Sequence, residues 1–244
     1  MHKHAALCIA LDYLTGKDKA LSYLETHAGR GLYDLSDAQA EKTGEAAQGV
    51  GRLLERFADD HPYPAMLSRV RADCGPNAYP GSPLIAATML RRFDRIEVAE
   101  LHPAEFAALE RTMPERPNTR LHQRDGVEMA RALTPPEPRR GLMLIDPSWE
   151  LRDEYARMAA LLPAIHRKWG VGALMLWYPL LPDERHRTMT HALRTAIPDV
   201  TLHEVRFPPA RAGHGMRGSG LALVKPPWGL ERALPNLAAI FEED

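Results

Sequence analysis

Along the chain, short apolar runs of strand length alternate with longer stretches in which apolar residues recur every three to four positions. That is the pattern of a parallel sheet with helical crossovers. Strands are predicted at "ALSYLET" (20–26), "RIEVAEL" (95–101), "TRLHQRD" (119–125), "GLMLIDP" (141–147), "VGALMLWYP" (171–179), "TLHEVRF" (201–207) and "GLALVKPP" (220–227). Helices are predicted at about 5–15, 83–92, 103–112, 152–168, 182–196 and 230–242. The fold class is therefore α/β. Only "PPARAGHGMRGS" separates the last two strands, too little for a crossover helix, so that pair is expected to form a hairpin with one strand antiparallel.

The interval from the first strand to the second, residues 27–94, is far longer than a crossover needs. "EKTGEAAQGVGRLLERFADD" has helical periodicity, and "MLSRVRADCG" reads as a second short helix ended by Gly75. A small helical insertion is expected at about 36–78.

Composition narrows the class. With 244 residues, 45% hydrophobic and 26% charged, the chain can form one large soluble domain. Its apolar runs are all too short to cross a bilayer, and the N-terminus lacks signal-peptide character, so the expectation is a cytoplasmic protein. A formal net charge of −1 excludes a uniformly basic polyanion binder and leaves local patches. Candidates are Arg91–Arg92, Arg139–Arg140, "RHR" at 185–187 and "RAGHGMR" at 211–217; the plain alternative for each is a solvated face. Cys8 and Cys74, far apart and outside any C-x-x-C spacing, read as buried or half-buried thiols, so neither a disulfide framework nor a metal site is expected. "HKH" at 2–4 is the one close histidine pair. Met89, Met143, Met158 and Met175 sit at apolar positions and are expected to serve packing, and Trp228 is expected in the core.

Ligands of an open parallel sheet bind beyond the carboxyl ends of its strands. There the sequence places Gly29 and Gly31 in "ETHAGRGLYD", Glu100 in "ELHP", Asp125 and Gly126 in "RDG", and Asp146 in "DPSW". Singly these read as a turn, a helix cap or an Asp-Gly turn. Together, an acid after the second strand suits ribose hydroxyls and a polar group after the third suits an adenine edge, which describes a nucleoside cofactor. "DPSW" fits the amine site of a methyltransferase. Asp146 and the Pro147 carbonyl would accept the two N–H groups of an exocyclic amine, and Trp149 would stack on the base. An Asp cap before a Pro at the first helical position explains the same residues as structure alone.

These segments, with "YLETHAGRGLYDL", "KTGE", "YPGSP", "GLMLIDPSWE", "LWYP" and "SGLALVKPPW", resemble the RlmJ-type 23S rRNA (adenine 2030-N6) methyltransferases over nearly the whole chain. The resemblance implies a class I, Rossmann-like S-adenosylmethionine-dependent methyltransferase acting on free or incompletely assembled 23S rRNA, and the protein is expected to be a monomer. Cofactor contacts would fall on His4, His27, Ser82, Glu100, Asp125 and Gly126, and the proton acceptor on Asp146, beside Pro147 and Trp149. Two departures are visible. Ser148 replaces the second proline of Asp-Pro-Pro-aromatic, and family members carry about fifteen further residues, rich in Tyr, His and Asn, before the position of Met1. Two alternatives stay open: a DNA adenine N6-methyltransferase, and an RNA- and cofactor-binding module with little turnover.

Overall fold

A computed structural model describes residues 1–36, 51, 53–151, 153–207 and 215–241 of the chain. Its centre is a seven-stranded sheet of order β5-β4-β1-β6-β7-β9-β8. The strands are β1 (Ser22–Glu25), β4 (Arg95–Ala99), β5 (Thr119–His122), β6 (Gly141–Ile145), β7 (Ala173–Leu180), β8 (Thr201–Arg206) and β9 (Gly218–Val224). β5, β4, β1, β6 and β7 run parallel, and β9 enters antiparallel between β7 and β8, as the short final connection requires. β6 is buried at all of its positions because helices cover both faces of the sheet, and that is why it reads as an unbroken apolar run.

One face carries α1 (His2–Thr15), α2 (Pro62–Cys74), α3 (Ser82–Met89) and α8 (Trp228–Phe241). The other carries α5 (Gly126–Leu133), α6 (Glu154–Lys168) and α7 (His186–Ala196), while α4 (Pro103–Thr112) follows β4. α1 is apolar on most sides because the sheet, α2, α3 and α8 all press on it, and Ala5, Ala6, Leu7, Cys8, Ala10 and Leu11 are fully buried. It begins at His2, three residues earlier than its apolar pattern suggested, so "HKH" is helical. α5 escaped the periodicity reading altogether. Its signal was a cap: Asp125 accepts a hydrogen bond from the Glu128 N–H at 2.9 Å.

Between β1 and β4 lie β2 (Leu32–Asp34), α2, β3 (Ala78–Pro80) and α3, with β2 and β3 paired antiparallel in a small second sheet. His61 caps α2 ahead of Pro62, and Gly75, at φ 105°, ends it. The helix expected around 41–60 falls mostly outside the described residues, as do "KTGE" at 42–45 and Arg211 to His214. Among the described residues, no helix is long and apolar enough to cross a membrane.

Two burial expectations need correction. Trp228 is 65% exposed, because it opens α8 at the amino edge of the sheet, where Arg232 covers its ring. Cys74, in the last turn of α2, is exposed; Cys8 is buried. Met143, Met158 and Met175 are in the core, and the half-buried Met89 packs against it, as expected.

Two of the basic candidates also prove to be structural. The Arg91 guanidinium binds Asp94 and donates to the carbonyls of Thr15, Lys17 and Lys19, while Arg140 donates to those of Leu14 and Lys19. Together they close the C-terminal end of α1 and the turn that leads into β1. Asp94 is fully buried at its side chain and also accepts from the Leu21 N–H at 3.0 Å and the Arg91 N–H at 2.8 Å. Asp94→Ala strands these donors and is expected to cost about 3 kcal/mol, lowering Tm by about 6 to 12 °C in thermal unfolding, whereas Arg111→Ala in the exposed last turn of α4 should shift it by about 2 °C or less.

Candidate active site

Because β1, β4, β5 and β6 run the same way, the residues that follow them emerge at one edge of the sheet. His27 lies at the middle of that edge, where the charges of Asp146, Glu100 and Asp125 all act on it. Burial, outweighing those carboxylates, holds its imidazole below the usual histidine range, and Nδ1 shares a 2.7 Å hydrogen bond with Thr26 Oγ1.

The predicted nucleoside side is assembled by backbone constraints. Gly29 sits at φ 64°, and its N–H donates to Glu100 Oε2 at 2.8 Å; Glu100 Oε1 accepts from the His102 N–H at 2.7 Å. Glu100 thus joins the glycine turn after β1 to the start of α4, so part of its role is the capping one. Asp125 caps α5 and meets Arg157 at 3.4 Å. Burial acts to raise the Asp125 carboxyl, but the N–H groups of Glu128 and Val127 and the Arg157 charge hold it below the usual carboxylate range. A Cβ on Gly126 would lie 1.7 Å from the Thr26 carbonyl oxygen, so only glycine lets the start of α5 abut the end of β1. Leu101, directly after Glu100, is 62% exposed on this edge and escaped the sequence reading.

The amine side is organised by a residue the sequence reading passed over. Lys3 forms an ion pair with Asp146 Oδ2, their side chains being only 16% and 17% exposed. Burial pulls the Lys3 ammonium down, but the Asp146 carboxylate and Glu25 outweigh it and raise it above its usual range. Among the described residues, neither Asp146 Oδ1 nor the Pro147 carbonyl is engaged, so both acceptors expected to meet an amine are free. "HKH" divides three ways: His2 joins Ser219 and His203, Lys3 takes Asp146, and His4 meets the Tyr79 hydroxyl through Nδ1 at 3.2 Å.

Beneath the ion pair lies Glu25, a second residue passed over although a carboxylate inside an apolar strand was a visible anomaly. It is fully buried and accepts from Ser82 Oγ at 2.5 Å and from the Tyr23 hydroxyl at 2.8 Å. Ser82, at the start of α3, thus reaches the site through Glu25. Burial pushes the Glu25 carboxyl up to about 8, against the pull of Ser82, Lys3 and Tyr23.

Trp149 is not the open platform that was expected. Its ring is 6% exposed and packs on Tyr155 at 4.5 Å, with indole Nε1 unpartnered among the described residues. The residue holds the left-handed region at φ 61°, a strain of about 1 to 2 kcal/mol that the packed ring offsets. Ser148, in the place of the second proline, lies 3.3 Å from Glu154 Oε1, and Glu154 Oε2 accepts from the Leu151 N–H at 3.3 Å. The turn is therefore held by side chains where a second proline would stiffen it through the backbone.

The family model described as "Ribosomal RNA large subunit methyltransferase D, RlmJ" matches residues 18–243. The chain belongs to the RlmJ family. Two relatives named "Ribosomal RNA large subunit methyltransferase J" are each 33% identical: one from Escherichia coli K12 over 241 residues, and one from Haemophilus influenzae over 240. Each alignment covers 96% of this chain and 85% of the relative. A crystal structure of a Legionella pneumophila protein superposes with TM-score 0.85 at 32% identity, covering 98% of this chain and 91% of that one.

As an RlmJ-family enzyme the chain is a methyltransferase that uses S-adenosylmethionine, and its carboxyl edge fits that molecule. The acids Glu100 and Asp125, the glycine turn, the Gly126 approach and the exposed apolar Leu101 suit an uncharged ribose and a flat base; paired carboxylates would repel a polyphosphate.

Gly126→Ala should separate α5 from β1 and weaken S-adenosylmethionine binding by about tenfold or more in calorimetric titration, corresponding to about 1.4 kcal/mol. Glu25 gives a pH signature. Its folded-state pKa lies above the unfolded value, so the native state binds the extra proton and stability falls as pH rises from about 4.5 to 8. Glu25→Gln removes that loss, and its urea midpoint should vary less over the same window than the wild type's.

Proposed function

We propose that this chain methylates the N6 amino group of an adenine in 23S rRNA, at the position equivalent to 2030, using S-adenosylmethionine. The observation that carries the reading is an Asp146 carboxylate held by Lys3, with Oδ1 and the Pro147 carbonyl unengaged, at the edge where Glu100, Asp125, Gly126 and His27 converge in an RlmJ-family chain. The curated relatives carry the name of a ribosomal RNA large subunit methyltransferase, and this supports the substrate class.

When bound, S-adenosylmethionine supplies an electrophilic methyl group on a cationic sulfur. In this reading Glu100 takes the ribose hydroxyls, Asp125 and the start of α5 take the base, and His4, His27, Gly29 and Ser82 border the remainder. An adenine amine is a weak nucleophile because its lone pair is delocalised into the ring. Asp146 Oδ1 and the Pro147 carbonyl accept its two N–H groups, which orients the lone pair and favours a pyramidal nitrogen. Lys3, paired with Asp146 Oδ2, fixes the rotamer of the carboxylate. After transfer, Oδ1 receives the proton. Trp149, locked on Tyr155, sets the course of the backbone that presents the Pro147 carbonyl. We further read the chain as a monomer acting on free or incompletely assembled RNA in the cytoplasm, with residues about 36–78 as an insertion into one methyltransferase domain.

The test is transfer of a labelled methyl group to a protein-free 23S rRNA transcript, with duplex DNA carrying adenines in parallel. Methylation confined to the RNA, at an adenine N6, is the expected result; transfer to DNA alone would sink the reading. Asp146→Asn should lower kcat by about a hundredfold or more while leaving S-adenosylmethionine affinity within about threefold. Lys3→Met should likewise lower kcat by about tenfold or more, since it leaves the same carboxylate without its partner.

A further inference from the structure

The "RHR" segment at 185–187 belongs to a feature that the reaction does not use. A groove of about 440 Å³ opens between α7 and β8, and Glu204 is the only carboxylate among the residues that line it. Arg187, His191 and Arg194, at spacings of four and seven residues, form one stripe along α7, and Arg206 faces them from the end of β8. Arg187 is 67% exposed and pairs with Glu184, but Arg194 and Arg206 are exposed and make no ion pair or hydrogen bond among the described residues.

The floor of the groove is a constructed one. The Tyr178 ring crosses β9 to donate its hydroxyl to Glu204 at 3.0 Å, and it can do so only because position 220 is glycine: a Cβ there would lie 2.2 Å from the ring. His186 stacks on Tyr178 at 5.8 Å with Nε2 3.7 Å from Glu204. Its Nδ1 is buried and without a partner among the described residues. A solvated helix face needs no such floor.

Position then indicates the partner. β8 runs parallel to β7 and β6, because each is linked through the antiparallel β9 or directly, so Arg206 lies at the same edge as Asp146. The two strands are three spacings apart, roughly 14 Å. The exposed Arg217 stands between them, where its N–H donates to the Leu180 carbonyl at the end of β7. Forked guanidinium groups along such a track match successive phosphates.

Resting on the proposed rRNA substrate, we infer that the α7–β8 groove binds the phosphate backbone of the RNA strand flanking the target adenine, with Arg187, Arg194 and Arg206 as its phosphate contacts. The groove then confers affinity and orientation on an RNA whose reactive base is held at Asp146.

Binding of a fluorescent protein-free 23S rRNA transcript is measured by anisotropy over a series of salt concentrations, beside steady-state methyl transfer to the same RNA. Arg194→Glu with Arg206→Glu is expected to weaken binding about tenfold or more and to flatten the plot of log affinity against log salt by about two. KM for RNA should rise accordingly, with kcat and S-adenosylmethionine affinity within about twofold. Arg194→Gln with Arg206→Gln removes charge without adding repulsion, and should show the same flattening with a smaller loss of affinity. Arg111→Glu, in the exposed last turn of α4 at the opposite edge, should leave both unchanged. Folded variants that keep the wild-type salt slope and KM overturn the groove. A wild-type chain that transfers no methyl to the transcript overturns the substrate reading instead, and the anisotropy series still decides whether the groove holds RNA.

Discussion

The site depends on strand direction. Parallel pairing carries the ends of β1, β4, β5 and β6 out on one edge, and hydrogen-bonded registers such as Glu25 beside Val98 and Leu144 place those ends within a residue or two of the same level. A carboxylate or glycine that follows any of these strands is thereby brought to one line, whatever its distance along the chain. The geometry costs the fold little, because the strands are held by apolar contacts on both faces and the polar groups come only where the sheet stops.

Upon that line sits a chain of coupled groups that would be unstable in isolation. Burying Lys3 or Asp146 alone would cost several kcal/mol; as a pair each supplies what the other lacks. Glu25 lies just below, and full burial holds its proton to higher pH, with the neighbouring Asp146 charge adding to the effect. The hydroxyls of Ser82 and Tyr23 bring α3 and β1 into the same network. α1 therefore does two jobs that its apolar composition conceals: it packs the core, and its first turn delivers the cation.

The turn after β6 shows how a changed residue can keep the same shape. With Ser148 where the family has a second proline, the backbone of 146–149 is fixed instead by Glu154, which takes the Ser148 hydroxyl and the Leu151 N–H, and by the Trp149 ring wedged against Tyr155. The left-handed conformation of Trp149 is the local cost of turning the chain that sharply. On the same face of the sheet, Gly220 plays a comparable part by yielding its side-chain space to Tyr178.

Periodicity and run length were enough to find the α/β class, all seven strands of the main sheet, the antiparallel final pair and seven of the eight described helices, because a strand buried on both faces and an amphipathic helix each leave a local pattern. The acids and glycines at the strand ends were legible for the same reason: their meaning follows from where a run stops. What stayed hidden was decided by contacts between residues far apart in the chain. Lys3 meets Asp146 across 143 positions and Ser82 meets Glu25 across 57, so even where Glu25 stands out in its strand, nothing nearby in the chain marks its partner. β2 and β3 are too short to carry a pattern, and Trp228 is exposed because α8 begins at an edge that its apolar neighbours do not reveal. Local pattern records which side of an element is buried; which charges are buried together is settled only when the elements pack.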